Sequence, residues 1–379
     1  MQSMGKTFKD LLAGDESLFR DPLIFDPQYV PESYIHRNTQ VEAIAVAIRP
    51  ALKGGRPINT LIYGPPATGK TTAIQKLKEE LVEVEGGGKV VLAHINCQIH
   101  TSKFSIFSQI HKAVVGHEPP ETGVPFKKVY EAIFKKLIKE DRCLIAVLDD
   151  MNYLFFDRHA NEIMYDILRA HEVYSGAKTG LFGIVSDTEF NYKIDDKVRS
   201  MFQPQEVFFP PYRAGEIFDI LKDRCSIGFS PGVASDEIVL EAADMAYEKG
   251  DLRLGIEILR RAALAAEAEG SRKIELEHIR GVMGEARTTT LKNLVDTLSP
   301  QEKKLLEVMA GLEDEAVNSG ALYEYYRDVT GDSYTTFYRI LEKLEGIRIL
   351  DTTYSGKGKK GRTRRVVLRF DKEEILSLM

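Results

Sequence analysis

The chain has 379 residues, with 51 Lys plus Arg against 57 Asp plus Glu and a formal net charge of −6. That length exceeds one ordinary core and argues for two or three domains, and an apolar fraction of 43% is that of a globular protein. No apolar run approaches the ~20 residues of a membrane span, no signal-peptide pattern opens the chain, and three scattered cysteines (Cys97, Cys143, Cys225) without C-x-x-C argue against a disulfide framework or zinc site. A reducing, cytoplasmic setting is expected.

After a polar lead, Ile44, Ile48 and Leu52 keep helical spacing. Alternating elements then follow: strand 59–63, helix 71–84, strand 89–95, helical segments within 103–140, strand 143–149, helix 159–174, strand 180–185 and a short strand near 206–209. Strands alternating with helices imply an α/β domain built on a parallel sheet. From Arg213 onward the apolar spacing is helical only, with Gly250 and Gly270 as helix stops. A third module begins at LKNLVDTL. Ser299, Pro300 and Glu302 form a helix start, SYTTFYRILEKLEG gives another helix, and two strand-like runs enclose GKGKKG. This order of helices and hairpin predicts a winged helix-turn-helix. The expected domains are 1–212, 213–287 and 288–379.

Two segments carry nucleotide chemistry. Gly64 to Thr71 fits G-x-x-x-x-G-K-[ST] between a strand and a helix, the setting a phosphate-binding loop requires. The loop from Pro65 and Pro66 through Ala67, Thr68, Gly69, Lys70, Thr71 and Thr72 would surround phosphate oxygens, with the amides of Ala67 to Thr72 and the helix N-terminus as donors. Lys70 would reach the terminal phosphates and Thr71 would ligate Mg²⁺. CLIAVLDDMNYL delivers Asp149 and Asp150 at the end of an apolar strand, where Asp149 suits a Mg²⁺ role.

The order YVPE…HR, GPPATGKT, LDD, GIVSD, VFFPPY, GDLRLGIEIL and a terminal winged helix resembles the archaeal replication initiators of the AAA+ class, relatives of the origin recognition complex and its cell-division-cycle partner. The resemblance spans roughly residues 20–370. It implies ATP or ADP with Mg²⁺ as cofactors, the segment Tyr29 to Arg37 bordering the adenine with Val30, Pro31, His36 and Arg37 as candidates, and Tyr212 at the site. It also implies Asp150 and Ser186 (sensor 1) near the attacking water, and Arg253 (sensor 2) reaching the γ-phosphate from the lid. Lys197 and Arg199 are the arginine-finger candidates. Partners implied are duplex origin DNA, the replicative helicase and paralogous initiator subunits, with the chain monomeric in solution or assembling on DNA, and no membrane.

Departures from the family pattern shape the expectation for hydrolysis. Ala67 replaces a glycine, and binding is expected to survive provided the backbone there needs no positive φ. Asp150 stands for glutamate, one methylene shorter, and Ser186 for asparagine. Firm binding with slow hydrolysis is therefore expected, since a displacement near 1 Å can cost on the order of a hundredfold in rate.

For DNA, Thr335, Thr336, Tyr338, Arg339 and Lys343 lie away from the apolar stripe of their helix and suit a recognition helix. From Lys357 to Arg365 six of nine residues are basic, and Lys357, Lys359, Lys360, Arg362 and Arg364 suit phosphate or minor-groove contact. A wing used for protein contacts is the bland alternative. Lys103 and Lys112 are weaker DNA candidates. Rival functions are an ATP-modulated transcription regulator and a clamp-loader-like AAA+ subunit, the latter disfavoured by the basic wing.

Overall fold

The computed structural model describes residues 17–379 apart from 33, 121–122, 156–158, 187–193, 313–315 and 359–360; for 285–290 and the rest of 354–363 only the secondary structure is described. The chain divides between Glu275 and Leu276 into two compact units.

In the first unit, β1 (Thr60–Tyr63), β2 (Val90–Asn96), β3 (Cys143–Asp149), β4 (Lys178–Val185) and β5 (Gln205–Phe208) form one sheet in the order β2-β3-β4-β1-β5. Every pairing is parallel. The run CLIAVLD explains why β3 is central: all seven residues are buried, as a strand covered on both faces demands. Its alternate residues feed two cores. Leu144, Ala146 and Leu148 meet the helices Lys103–Val115, Phe126–Lys139 and Ala160–Leu168. Cys143, Ile145 and Val147 share the other core with Ile44 and Ile48 of helix Asn38–Leu52 and with Ile74 and Leu77 of helix Lys70–Glu80. That last helix stops short of residue 84; Glu79, Glu80 and Glu83 crowd negative charge onto its negative end. All three cysteines are buried.

Three further helices, Ala214–Gly228, Asp236–Lys249 and Leu252–Glu269, form the lid of the same unit. Gly250 (φ +66) and Gly270 (φ +74) end two of them in the left-handed conformation. Asp251 then caps the last helix by accepting the Arg253 N–H, which fixes where Arg253 leaves the lid. An N-terminal strap lies along these helices. Phe25 stacks on Phe229 at 4.3 Å, Phe19 pairs with Phe229 as an isolated bridge, and Leu18 N–H donates to Glu267 at 2.6 Å. Nothing in the sequence pattern pointed to this strap.

In the second unit the helix Leu276–Asp296 runs without interruption across the expected boundary at 287, because no Gly or Pro breaks it after Gly284. Helix Pro300–Ala310 carries the expected reciprocal cap between Ser299 and Glu302. Helices Ser319–Thr330 and Tyr334–Gly346 follow, with β6 (Ala316–Asn318), β7 (Leu350–Gly358) and β8 (Gly361–Leu368) in an antiparallel sheet ordered β6-β8-β7. Phe337, Ile340, Leu341 and Leu344 are the buried stripe of the recognition-type helix. Among the described residues no helix is long and apolar enough to cross a membrane.

Candidate nucleotide site and nucleic-acid interface

The phosphate-binding loop joins β1 to helix Lys70–Glu80, and two of its glycines are required sterically. A Cβ on Gly64 (φ +147) would fall 2.2 Å from the Phe209 carbonyl oxygen, and one on Gly69 (φ +92) would fall 2.1 Å from the Tyr34 hydroxyl. Ala67 also has positive φ, at +57. The proviso attached to this alanine is therefore not met, and the loop carries strain on the order of 1–2 kcal/mol there. Lys70 Nζ donates to the carbonyls of Gly64 and Pro65 at 2.8 and 2.7 Å. Burial lowers its pKa to about 8, opposed by the nearby Asp150 and Asp149 carboxylates and assisted by Arg253.

The ends of β2, β3 and β4 supply the acidic side. Asp149 is 5% exposed; its carboxylate accepts from Thr71 Oγ1 at 2.9 Å and contacts His94 Nε2 at 2.9 Å. Asp150, at φ +54, accepts from Gln98 Nε2 at 2.7 Å and from Ser186 Oγ at 3.4 Å. Burial and the neighbouring Asp149 charge raise its pKa. His94 and Gln98 were not singled out in the sequence.

These groups open onto one cavity of about 740 Å³, within the range of small-molecule sites. The loop from Pro66 to Thr72 lines one side, and Asp149, Asp150 and Ser186 line another. Arg253 enters from the lid, and Pro31, Tyr29, Tyr34, Tyr212 and Arg224 line the remaining wall. Val30, His36, Arg37 and Pro65 do not line it. His36 instead pairs with Asp219 at 3.0 Å, and Arg37, 2% exposed, lies behind the loop. Arg199 also stays outside; its guanidinium donates to the Ile194 carbonyl at 3.2 Å and lies 3.8 Å from Asp196.

This donor set fits a nucleoside triphosphate with Mg²⁺. The loop offers backbone amides and a buried lysine to phosphate oxygens. Thr71 and Asp149 offer the hydroxyl and single carboxylate that Mg²⁺ combines with phosphate oxygens and water. Bound Mg²⁺ would neutralise phosphate charge, while the chain's own groups bind and orient.

In the second unit, Thr335 and Arg339 are exposed on helix Tyr334–Gly346, and Thr336 is half-buried with its N–H capped by Ser333. Lys343 is held by Glu302 at 2.8 Å. Arg364 turns inward: its guanidinium donates to the Tyr338 hydroxyl and lies 3.5 Å from Glu345. Lys357 and Arg362 lie on β7 and β8, and Lys359 and Lys360 lie outside the described residues. In the first unit Lys103 is engaged by Glu162 and Asp166, and Lys112 by Glu118.

A five-stranded parallel sheet bearing a phosphate-binding loop, a helical lid whose arginine reaches the same cavity, and a winged-helix unit define an AAA+ protein. Residues 218–283 match the family model described as the Cdc6 AAA+ ATPase-type lid domain, and 293–378 match the CDC6 C-terminal winged helix domain. The chain is 48% identical over 370 residues to ORC1-type DNA replication protein 2 of Methanothermobacter thermautotrophicus, covering 98% of this chain and 97% of that one. It is 42% identical over 373 residues to the ORC1-type DNA replication protein 2 of Methanosarcina mazei, at 98% and 99% coverage. Among solved structures it is similar to the Aeropyrum pernix ORC1 protein in complex with DNA, with TM-score 0.70, 28% identity and 96% and 97% of the two chains covered. Cdc6p from Pyrobaculum aerophilum shares the fold, with TM-score 0.63, 22% identity and 96% and 98% covered. The chain belongs to the family of ORC1-type DNA replication proteins.

Proposed function

We propose that this protein is an ATP-binding replication initiator that holds ATP–Mg²⁺ in the cavity, binds duplex origin DNA through its winged helix, and hydrolyses ATP slowly. It helps recruit or load the replicative helicase alongside paralogous initiator subunits. One observation carries the nucleotide part: Lys70, Thr71, Asp149 and the lid residue Arg253 converge on a single cavity. The DNA part rests on the family, on a relative solved in complex with DNA, and on the run of basic residues from 357 to 365. In this reading the domains are 1–212, 213–287 and 288–379, with the long helix Leu276–Asp296 bridging the last two.

Roles follow from position. Lys70 and the loop amides bind the phosphates, Thr71 and Asp149 hold the cation, and Arg253 places lid charge at the γ-phosphate. Asp150 and Ser186 orient water. The test uses the full chain: fluorescence titration with ATP and Mg²⁺, then anisotropy with duplex DNA over a salt series. Nanomolar-to-micromolar ATP binding, with DNA affinity falling by about 0.9 log unit per log unit of salt for each phosphate contact, supports the reading. Absence of both sinks it.

A further inference from the structure

Among the described residues Arg37 is the most deeply buried side chain that carries a formal charge, at 2% exposure, and no carboxylate pairs with it. Its guanidinium is instead satisfied by backbone carbonyls. Nε donates to Thr68 O at 3.1 Å, one terminal nitrogen to Pro210 O at 2.7 Å and the other to His36 O at 3.2 Å. The group stacks on the Tyr212 ring with 3.6 Å from its carbon to the ring centre. Beside it the Tyr34 hydroxyl donates to Gly69 O, which also accepts the Ala73 N–H of the helix.

Thr68 O and Gly69 O belong to two successive peptide planes of the phosphate-binding loop. A trans peptide is flat, with its C=O and N–H pointing in opposite directions. Anchoring those two oxygens therefore aims the N–H groups of Gly69 and Lys70 away from the anchors, and both residues line the cavity; Arg37 lies outside it, whereas Tyr34 and Tyr212 also form part of its wall. We infer that Arg37 and Tyr34, backed by Tyr212, form a brace that pre-orients the Gly69 and Lys70 amides for phosphate and ties the loop to Pro210, between β5 and the first lid helix. Each acts through the loop carbonyl it holds, so both are positioning residues. The inference rests on the proposal that the cavity takes ATP and adds how its phosphate cradle is held.

An anion-oriented brace makes a selective prediction. Tyr34→Phe keeps the ring and removes only the donor to Gly69 O. Arg37→Lys keeps the charge and loses the planar fork and the stacking on Tyr212. Both variants and the wild type are titrated with a fluorescent ADP analogue, and ATP, ADP and adenosine (to millimolar) compete it off. Each variant is expected to lose about three- to tenfold in ATP and ADP affinity, the range of one or two hydrogen bonds, while adenosine affinity stays within about twofold. Unchanged ATP affinity in Tyr34→Phe, or a parallel fall for adenosine and ATP, overturns the brace. Should Arg37→Lys fail to fold, Tyr34→Phe decides alone. A wild-type protein that binds no ATP overturns the nucleotide reading itself and the brace with it.

Discussion

Ala67 offers a direct test of how much strain the phosphate-binding loop carries. At φ +57 it occupies a conformation that costs an L-residue about 1–2 kcal/mol relative to the right-handed region. Replacing it with glycine removes that term but adds about 0.4–1 kcal/mol of unfolded-state entropy. The difference leaves Ala67→Gly more stable by about 0–1.6 kcal/mol, about 0.8 at the midpoints. For a unit of this size about 1 kcal/mol moves the unfolding midpoint by about 2–4 °C, so a rise of about 1–4 °C is expected by calorimetry. Gly69→Ala is the opposite control. Its backbone sits at φ +92 and its new Cβ would lie 2.1 Å from the Tyr34 hydroxyl, so it should lower the midpoint and weaken ATP binding together. Because the strain at Ala67 is present whether or not a nucleotide is bound, ATP affinity in Ala67→Gly should stay within about twofold. A lower midpoint for Ala67→Gly would refute the reasoning, since the loop would then have no left-handed penalty to relieve at that position.

Further expectations follow from the charges. Lys70 has its folded pKa lowered from 10.5 to about 8, so the unfolded chain binds the extra proton between those values and stability rises with pH across that window. A bound triphosphate would favour the charged lysine, so calorimetric titration with ATP in buffers of different ionisation heat should show net proton uptake at pH 8.5 that shrinks toward pH 6.5. Asp149→Asn should abolish most of the Mg²⁺ dependence of ATP affinity, by on the order of tenfold or more, in titrations with and without chelator. In the second unit, Arg339→Ala should flatten the salt dependence of DNA binding by about one contact at unchanged melting temperature. Arg364→Ala, which removes the hydrogen bond to Tyr338 and the ion pair with Glu345, should destabilise that unit by about 1.5–3 kcal/mol in thermal unfolding.

What the sequence made legible was local. The phosphate-binding loop, the acidic pair after β3, the Ser299–Glu302 cap and the Gly-Asp-x-Arg turn into the last lid helix each lie within a few consecutive residues, so backbone geometry and chemistry are fixed together. Groups brought in from a distance left no such trace. Gln98 reaches the site only because the loop after β2 is delivered there by the fold, and within the segment Tyr29 to Arg37 nothing in the sequence distinguishes Tyr34 from its neighbours. The strap itself depends on Phe19 and Phe25 meeting Phe229, more than 200 residues away in the chain. The sequence pattern implies a change of module within residues 276–296, yet the structure runs one helix through it. Arg364 shows a further limit: within a basic run every arginine reads as a free charge, yet strand periodicity turns this one toward Tyr338 and Glu345.

In the proposed reading the same site would bind ATP firmly and hydrolyse it slowly. A group that orients water must meet it at the right distance, and Asp150 is one methylene shorter than the glutamate of the family pattern. It is also restrained: Gln98 Nε2 holds one carboxylate oxygen at 2.7 Å and Ser186 Oγ approaches the other at 3.4 Å. Each contact takes one lone pair of a different carboxylate oxygen and so fixes the orientation of the carboxylate, and the positive φ of Asp150 limits how far its backbone can shift in compensation. Gln98→Ala removes the shorter restraint without touching the phosphate-binding loop or the cation ligands. Turnover in a single-turnover ATP assay should then rise about two- to fivefold with ATP affinity unchanged, a modest gain because the carboxylate stays short. A fall in turnover would mean that Gln98 holds Asp150 in its working position, and would leave the short side chain as the sole ground for expecting slow turnover.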